Sequence, residues 1–394
     1  MSNRKTVWVL GAGFSRSLGG PLLDDFFRES SRGVLIRRFS AINGDVMAQW
    51  AYEMYESVGR KLTGNAESFL VFLGDSIADT NNLHRYHEID THLIWKIRRI
   101  LSDGSRRSPK RTGRQLVEHA ISDLPSCFRW IADEVRATSM EYDHSGLTQL
   151  VDSIAIQSRE VHKQVLDGAR RSIAAECLAF FEKSDLDSER FSPYGRWLDS
   201  LDSNDAVISF NYDLVLDWWR EQNPESRICI EKSESNQAGC GRVYKLHGSV
   251  NWRIRNGSLT AIPCADAYDL ESNNESIAIG IPGRSKGDIE KTLEHSWAAA
   301  AFDLQDAERI AFVGYRMPES DVSSVRFFQD AIRKNKSQNL KVHIVLGSRH
   351  ALSPDAARLR EMLAAFTRHA GSDVVSVLPL NAEDYLAVAH TLLD

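Results

Sequence analysis

The chain has 394 residues, which exceeds one minimal domain and predicts either two structural units or one large sheet with an insertion. Apolar residues make up 42% and charged residues 26% of the sequence, a globular composition that excludes large-scale disorder. The formal net charge of −6 argues against nucleic-acid binding by the whole surface, although a local basic patch is compatible with it.

The N-terminal residues and the cysteines indicate the compartment. The apolar run Thr6–Leu10 is short and leads directly into Gly11, so it predicts a first strand rather than a signal peptide. No apolar stretch approaches the roughly 20 residues needed to span a bilayer. The five cysteines are odd in number, widely spaced and without a C-x-x-C pair, which predicts neither a disulfide framework nor a zinc ribbon. We therefore expect a soluble cytoplasmic protein without a membrane partner.

Seven short apolar runs, rich in β-branched and aromatic residues, predict strands that are buried on both faces, as in a parallel sheet. They are Thr6–Leu10, Ala206–Phe210, Val243–Leu246, Ile277–Ile281, Ile310–Val313, Val342–Leu346 and Val374–Leu378. Helical periodicity separates the later runs, over Ile289–Leu304 and Asp355–Arg368. This alternation predicts an α/β fold with a Rossmann-like, doubly wound parallel sheet.

The long stretch between the first two predicted strands has few strand-like runs and much helical periodicity. We therefore predict a Rossmann-like domain that is split in sequence into residues 1–29 and 202–394, with a large helical insertion at residues 30–201. Within the insertion, Asp103–Gly113 has the glycine, serine and proline content of a flexible connection.

Two features of the insertion are compatible with ligands. The basic run from Lys96 to Arg114 could contact nucleic acid or an acidic partner, but a solvated helix end followed by a loop is the favoured interpretation. His84, His87 and His92 lack the H-E-x-x-H spacing of a zinc site, so we interpret them as residues of a solvated helix.

A glycine turn, Gly11-Ala12-Gly13, follows the first predicted strand. Glycines at such a position permit a tight turn and a close approach of backbone to a pyrophosphate at a helix N-terminus. Arg16 occupies the position of the third glycine in G-x-G-x-x-G, and no second strand ending in an acidic residue follows after about 20 residues, which disfavours an ordinary dehydrogenase. A turn that only packs a helix on the sheet is the alternative interpretation.

Polar side chains follow two further predicted strands. Asn211 and Asp213 come after the second strand, and His247 with Gly248 follows the third. Open α/β sheets bind ligands beyond the carboxyl ends of their strands, and a histidine with its ordinary pKa of about 6.5 can accept a proton near neutrality. The alternatives are a helix cap for Asn211 or Asp213 and a structural role for His247.

Taken in chain order, these motifs resemble those of the sirtuins. The matches to the sirtuin nucleotide loop G-A-G-I-S-x-x-x-G-I-P are Gly11, Ala12, Gly13, Ser15, Gly19 and Pro21. Asn211 and Asp213 resemble the sirtuin T-Q-N-I-D motif, and His247-Gly248 resembles the catalytic His-Gly.

Two later segments extend the resemblance, which covers residues 6–24 and 206–348. Phe312–Asp321 resembles the G-Y-S-x-x-x-x-D segment of bacterial sirtuin-like proteins, with Arg316 in place of the serine. Val345–Ser348 ends a predicted strand at the place where sirtuins use small polar residues against the adenosine ribose.

The resemblance implies that NAD is the substrate and suggests a role for each motif. Asn211 would position water or ribose hydroxyls, His247 would act as general base or ribose partner, and Asp213 would support the nicotinamide side. The residues implied in binding NAD are Gly11, Ala12, Gly13, Phe14, Ser15, Gly314, Tyr315, Gly347 and Ser348.

Two departures from the sirtuin pattern concern the acceptor. Leu22-Leu23-Asp24 stands where sirtuins have Asp-Phe-Arg, and the paired C-x-x-C motifs of the sirtuin zinc module are absent, so no zinc is expected. We therefore expect water rather than acyl-lysine to be the acceptor, which gives ADP-ribose and nicotinamide. The alternatives are an NAD-dependent protein deacylase and a non-catalytic sensor of NAD or ADP-ribose that signals by assembly.

The G-Y segment together with a helical insertion resembles bacterial anti-phage NADases. This resemblance implies regulated NAD depletion in antiviral defence, by abortive infection. It also implies a homo-oligomer and, for a stand-alone chain of this kind, pairing with a HerA-type DNA-translocating ATPase.

Overall fold

The computed structural model describes residues 4–28, 45–56, 144–181, 183–231, 239–255, 258–270, 276–280, 287–318, 321–367 and 374–393, with scattered positions between 32 and 73. Three features of the predicted insertion lie outside the described residues: the loop Asp103–Gly113, the basic run from Lys96 to Arg114, and the histidines His84, His87 and His92.

The chain divides into two compact units. The first comprises Met1–Phe26, Ile173–Ile281 and Lys286–Asp394, and the second comprises Phe27–Ser172 and Pro282–Ser285. Residues 173–201, which the sequence pattern assigns to the helical insertion, therefore belong to the unit that contains the sheet.

Ten strands in the described residues form two sheets. In chain order they are β1 (Thr6–Leu10), β2 (Ala206–Ser209), β3 (Ile228–Ile230), β4 (Gly241–Lys245), β5 (Gly248–Arg255), β6 (Ser258–Ala261), β7 (Ser276–Ile279), β8 (Arg309–Val313), β9 (Lys341–Val345) and β10 (Val375–Leu378). Seven of them form a parallel sheet in the order β10-β9-β8-β1-β2-β4-β3. The predicted α/β fold with a Rossmann-like parallel sheet is confirmed.

Nine α-helices lie in the described part of the chain. They are α1 (Val46–Met54), α2 (His144–Ala179), α3 (Ser192–Ser200), α4 (Val215–Gln222), α5 (Gly287–Thr292), α6 (Glu294–Asp306), α7 (Val322–Arg333), α8 (Pro354–Phe366) and α9 (Ala382–Leu393). The helical periodicity over Ile289–Leu304 corresponds to two helices, α5 and α6, which are separated at Leu293.

The central strand β1 is buried on both faces. Val7 and Val9 belong to a core that also contains residues of α6, α7 and α8. On the other face, Trp8 packs edge-on against Trp197 of α3 and Tyr385 of α9, at ring-centroid distances of 5.3 and 6.3 Å. Because successive side chains of a strand point to opposite faces, helices on both sides require the uninterrupted apolar run seen in the sequence.

The order of the strands reverses between β1 and β8. The next strand along the chain after β1 is its neighbour β2, whereas β8 is followed by β9 on the opposite side. The connections that leave β1 and β8 therefore diverge at the carboxyl edge of the sheet. In open α/β sheets, this switch point is where ligands bind.

The three remaining strands form an antiparallel sheet in the order β6-β5-β7. The run Ile277–Ile281 therefore contains a strand, as predicted, but that strand does not join the parallel sheet. The physical reason is that β5 begins at Gly248, three residues after β4 ends at Lys245. A parallel pair requires a long crossover connection, so β5 leaves the main sheet and β7 pairs with it.

One expectation about the cysteines is wrong. Cys229 and Cys240 form a disulfide, with their Cα atoms 5.9 Å apart. The parallel pairing of β3 with β4 sets Ile228 opposite Gly241 and so brings Cys229 close to Cys240, a proximity that the spacing of 11 residues does not reveal. Cys177 and Cys264 are buried and unbonded to other cysteines.

Of the helices in the described ranges, none is both long enough and apolar enough to cross a membrane.

The carboxyl group of Asp205 lies directly before β2, and its raised pKa makes the stability of the protein depend on pH. Burial raises its pKa to about 6, although the backbone N–H of Asp202 donates to it. The folded protein therefore holds this proton more tightly than the unfolded chain, and the free energy of unfolding falls as the pH rises from about 4 to about 6.

We expect Asp205→Asn to lack this dependence. The free energy of unfolding of the variant minus that of the wild type should therefore increase by on the order of 2 kcal/mol from about pH 4.5 to about pH 7.5, as measured by urea denaturation. The matched control is Asp199→Asn, which removes an exposed carboxylate from α3. A difference between Asp205→Asn and wild type that stays constant over this range would contradict the prediction.

Candidate functional site

The glycine turn after β1 is interlocked with the turn after β8. The N–H of Gly11 donates to the carbonyl of Val313 at 3.1 Å, and the N–H of Gly13 donates to the carbonyl of Gly314 at 3.0 Å. A Cβ atom on Gly314 would lie 2.1 Å from the backbone nitrogen of Phe14. These two N–H groups are therefore engaged with protein carbonyls, and a phosphate bound at this turn would use other donors.

Phe14 anchors the glycine turn in the core. Its side chain is 1% exposed and packs edge-on against Tyr194 and Trp197, with centroid distances of 5.0 and 5.6 Å. The hydroxyl of Tyr194 also donates to the carbonyl of Phe14 at 2.7 Å. The side chain of Phe14, which the sequence assigns to NAD binding, thus packs against α3, and this contact fixes the position of the next residue, Ser15.

Three polar side chains from the turns after β1 and β2 form a hydrogen-bonded series. The Nδ2 of Asn211 donates to the Oγ of Ser15 at 3.2 Å and to the carbonyl of Gly11 at 3.0 Å. The hydroxyl of Ser15 in turn donates to Oδ2 of Asp213 at 2.6 Å. All three side chains are buried, with at most 9% exposure. The structure therefore brings together two of the predicted catalytic residues and one predicted NAD-binding residue.

The two carboxylate oxygens of Asp213 have different partners, one in the candidate site and one in the backbone of α4. Its Oδ1 accepts a hydrogen bond from the N–H of Val215 at 3.1 Å, at the start of α4. Burial raises the pKa of the Asp213 carboxyl, and the hydrogen bond from Ser15 and the charge of Lys245 act in the opposite direction. The N-cap residue of α4 is Leu214, so Asp213 holds the backbone at the start of this helix from the preceding position while it also contacts Ser15.

A buried ion pair lies behind this series. The ammonium group of Lys245 donates to Asp217 at 2.6 Å, to the carbonyl of Asp213 at 2.7 Å and to the hydroxyl of Ser249. Asn251 completes the network, accepting from Ser249 at 2.6 Å and donating to Asp217 at 3.2 Å. The Lys245 and Asp217 side chains are 1% and 4% exposed. The network joins β4 and β5 to the turn that carries Asn211 and Asp213.

His247 lies in an aromatic environment beyond the end of β4. Its ring meets Phe210 edge-on at a centroid distance of 4.7 Å, and Tyr212 and Trp297 lie at 6.3 and 6.4 Å. Its Nε2 is 3.1 Å from Oδ2 of Asp321, at the start of α7. A largely buried imidazole beside a carboxylate has the surroundings of a positioned base.

The remaining predicted NAD-binding residues follow β8 and β9. Tyr315 is buried and stacks on Phe210, with centroids 4.3 Å apart and an interplanar angle of 7°. Gly347 and Ser348 lie farther along the same edge of the sheet, where the N–H of Ser348 donates to Asn381 at 3.2 Å. Ser348 is exposed, unlike the residues around Asn211.

The site contains several residues to which the sequence prediction gives no role, among them four that are charged or contact the ring of His247. Lys245 and Asp217 form the buried pair, Trp297 reaches the ring of His247 from α6, and Asp321 pairs with that ring. Asp321 ends the segment Phe312–Asp321, in which the sequence resembles sirtuin-like proteins, and Lys245 lies two residues before His247. Asp217 and Trp297 carry no sequence signal, because their positions follow from the packing of α4 and α6.

A scan against protein-family models finds no match, and no curated protein matches the sequence.

The interlocked turns predict unequal effects of alanine at two glycines. Gly314 has a φ of +69° and no space for a Cβ, whereas Gly347 has a φ of +98° and its nearest atom would lie at 3.6 Å. We expect Gly314→Ala to lower the free energy of unfolding by about 3 kcal/mol or more, from backbone strain plus overpacking. Gly347→Ala, with strain alone, should cost about 1–2 kcal/mol. Equal losses in urea denaturation would contradict the interlocking of the two turns.

The buried ion pair predicts a large effect of removing its cation. Lys245→Met leaves the Asp217 carboxylate buried without its partner, so we expect a loss of about 3–5 kcal/mol in the free energy of unfolding. The matched control is Lys336→Met, since the Lys336–Asp306 pair is exposed and should contribute less than about 1 kcal/mol. Adding Asp217→Leu to Lys245→Met should recover part of the loss. A loss no larger than that of the control would argue against the network.

Proposed function

We propose that the protein is an NAD+ glycohydrolase, which cleaves the bond between nicotinamide and ribose and releases ADP-ribose. The observation that carries the proposal is the order of strands β1, β2 and β4, which are consecutive in the sheet. The glycine turn, Asn211 and His247 follow these three strands at one edge, beside the switch point between β1 and β8. This is the edge at which an open α/β sheet binds a dinucleotide.

The proposed reaction needs few strong acids or bases. The bond between C1′ of the ribose and N1 of nicotinamide breaks, its electron pair leaves with the neutral nicotinamide, and positive charge develops on the ribose. Water then forms the new bond to C1′ and loses a proton, so the products are ADP-ribose, nicotinamide and one proton. Catalysis of this kind depends on orienting the reacting groups and on stabilising the developing charge.

The residues at the three strand ends suit these tasks. Asn211, held by Gly11 and Ser15, would orient water or ribose hydroxyls, and Asp213 would support the nicotinamide side. His247 would accept the proton of the attacking water or bind the ribose, since its ring is largely buried and has a carboxylate beside it. Gly11, Ala12, Gly13 and Ser15 would face the phosphates, with Gly314, Tyr315, Gly347 and Ser348 toward the adenosine.

The choice of water as acceptor rests on the departures from the sirtuin pattern. At Leu22-Leu23-Asp24, the chain lacks the Asp-Phe-Arg that accompanies acyl-lysine chemistry in sirtuins. Here Leu23–Asp25 forms a short 3-10 helix, and Asp25 pairs with Arg16 at 2.6 Å. The proposal includes no zinc. Among the described residues, no group of three or more His, Cys, Asp or Glu side chains could hold a metal.

The biological role that accompanies this activity is regulated NAD depletion in antiviral defence. The resemblance to bacterial anti-phage NADases supports it, and a constitutive NADase would kill its own cell. The activity would stay restrained until a trigger releases it, and the trigger would be assembly as a homo-oligomer or a HerA-type ATPase partner. Contact of the basic run from Lys96 to Arg114 with nucleic acid remains an alternative to that partner as the trigger.

The test is release of nicotinamide from NAD without any peptide, measured by chromatography at high protein concentration and again with the ATPase partner. We expect His247→Ala and Asn211→Ala each to lower the rate at least about 100-fold. The matched controls are His295→Ala and Asn339→Ala, which remove exposed side chains of the same types.

Three outcomes would contradict the proposal. Release only in the presence of an acyl-lysine peptide would indicate a deacylase. Intact NAD bound without release in either state would indicate a sensor. Full activity in both site variants would place the chemistry elsewhere.

A further inference from the structure

The pair formed by His247 and Asp321 joins two separate elements of the fold. His247 lies in the turn between β4 and β5, and Asp321 is the N-terminal cap of α7. Their 3.1 Å contact is buried, since His247 is 7% and Asp321 3% exposed. A carboxylate beside Nε2 favours the proton on that nitrogen, so in the neutral ring the basic lone pair is on Nδ1.

The carboxylate of Asp321 is held independently of His247. Its Oδ1 accepts from the N–H of Ser324 at 3.3 Å, and its Oδ2 accepts from the hydroxyl of Ser324 at 2.6 Å. The hydroxyl of Tyr315 donates to the same Oδ2 at 3.4 Å. The start of a helix also favours a negative charge at this position. Asp321 is thus a fixed acceptor to which the imidazole ring adapts.

Aromatic contacts form a set of three rings, Tyr315, Phe210 and His247, in which Phe210 touches the other two. Tyr315 stacks on Phe210, and Phe210 meets the ring of His247 edge-on. Asp321 connects to both ends of this set, through its contacts with Tyr315 and with His247. The imidazole is therefore restrained by its edge-on contact with Phe210 and by its contact with Asp321 at the start of α7.

The backbone that follows Tyr315 is constrained at Arg316 and Met317. Met317 has a φ of +48° although it is not glycine, and it is fully buried. The guanidinium of Arg358 donates to the carbonyls of Arg316 and Met317 at 2.9 and 3.0 Å. Such a conformation persists only where the surroundings determine it, and it is frequent at functional sites.

We propose that Asp321 is the positioning residue for His247. The proposal rests on the proposed function. Asp321 holds the Nε2 proton and orients the ring so that Nδ1 accepts the proton of the water that attacks C1′. The imidazolium formed in that step is stabilised by the carboxylate, and the proton then passes from Nδ1 to solvent.

Substitution by asparagine separates this role from helix capping. Asparagine is as effective an N-cap as aspartate, so Asp321→Asn keeps the cap while it removes the negative charge. We expect kcat for nicotinamide release to fall about 100-fold, with KM changed less than about 3-fold. Ser324→Ala, which removes one donor to the carboxylate, should lower kcat about 5-fold. The control Ser353→Ala removes the cap of α8 and should leave kcat unchanged.

A double-variant comparison distinguishes positioning from an independent effect. In the His247→Ala background, Asp321→Asn should cause less than about a 2-fold further loss of rate, because the residue acts through the ring that is already absent. A further loss as large as that in the wild-type background would overturn the proposal. So would a change in KM alone.

A spectroscopic readout does not depend on activity. In protein labelled with 15N-histidine, the signal missing from His247→Ala identifies His247. We expect the Nε2–H tautomer with a slowly exchanging proton in the wild type, and faster exchange in Asp321→Asn. An Nδ1–H tautomer in the wild type, or an unchanged signal in Asp321→Asn, would overturn the proposal. If the wild type releases no nicotinamide, the proposed function fails, and the imidazole signal still decides the role of Asp321.

Discussion

The main-chain contact between the turn after β1 and the turn after β8 sets the geometry on which the rest of the site depends. The hydrogen bond from Gly13 to Gly314 leaves no room for a side chain on either residue. Just beyond this contact, Phe14 enters the core and directs Ser15 toward Asn211, while Tyr315 stacks on Phe210. A displacement of either turn would therefore disturb both the polar series and the histidine pair.

Behind these side chains, the site is supported by charge rather than by apolar packing alone. The Lys245–Asp217 pair is almost fully buried and has hydrogen-bond partners in Ser249 and Asn251. A buried ion pair contributes little net stability compared with apolar residues, but loss of one partner is strongly destabilising. Its contribution here is to hold the backbone of Asp213, and through it the turn that carries Asn211.

The sequence predicts which residues follow the strand ends better than it predicts their contacts. Asn211, Asp213 and His247 were expected at strand ends, and parallel strands place such ends at one edge of the sheet. Phe14 faces the core and the Gly11 and Gly13 amides bond to protein, because these details depend on α3 and on β8, which are distant in sequence. Asp321 becomes a partner of His247 only when α7 packs beside the end of β4.

What the sequence determined by itself is the fold class and the strand ends, because uninterrupted apolar runs such as Thr6–Leu10 are required only of strands that are buried on both faces. Tertiary structure alone decided the strand order, the separate sheet of β5, β6 and β7, the disulfide between Cys229 and Cys240, and the partner of His247. Each of these is a contact between residues that no local periodicity links. Local patterns record which side chains are buried, but the partner of each side chain depends on how distant elements pack.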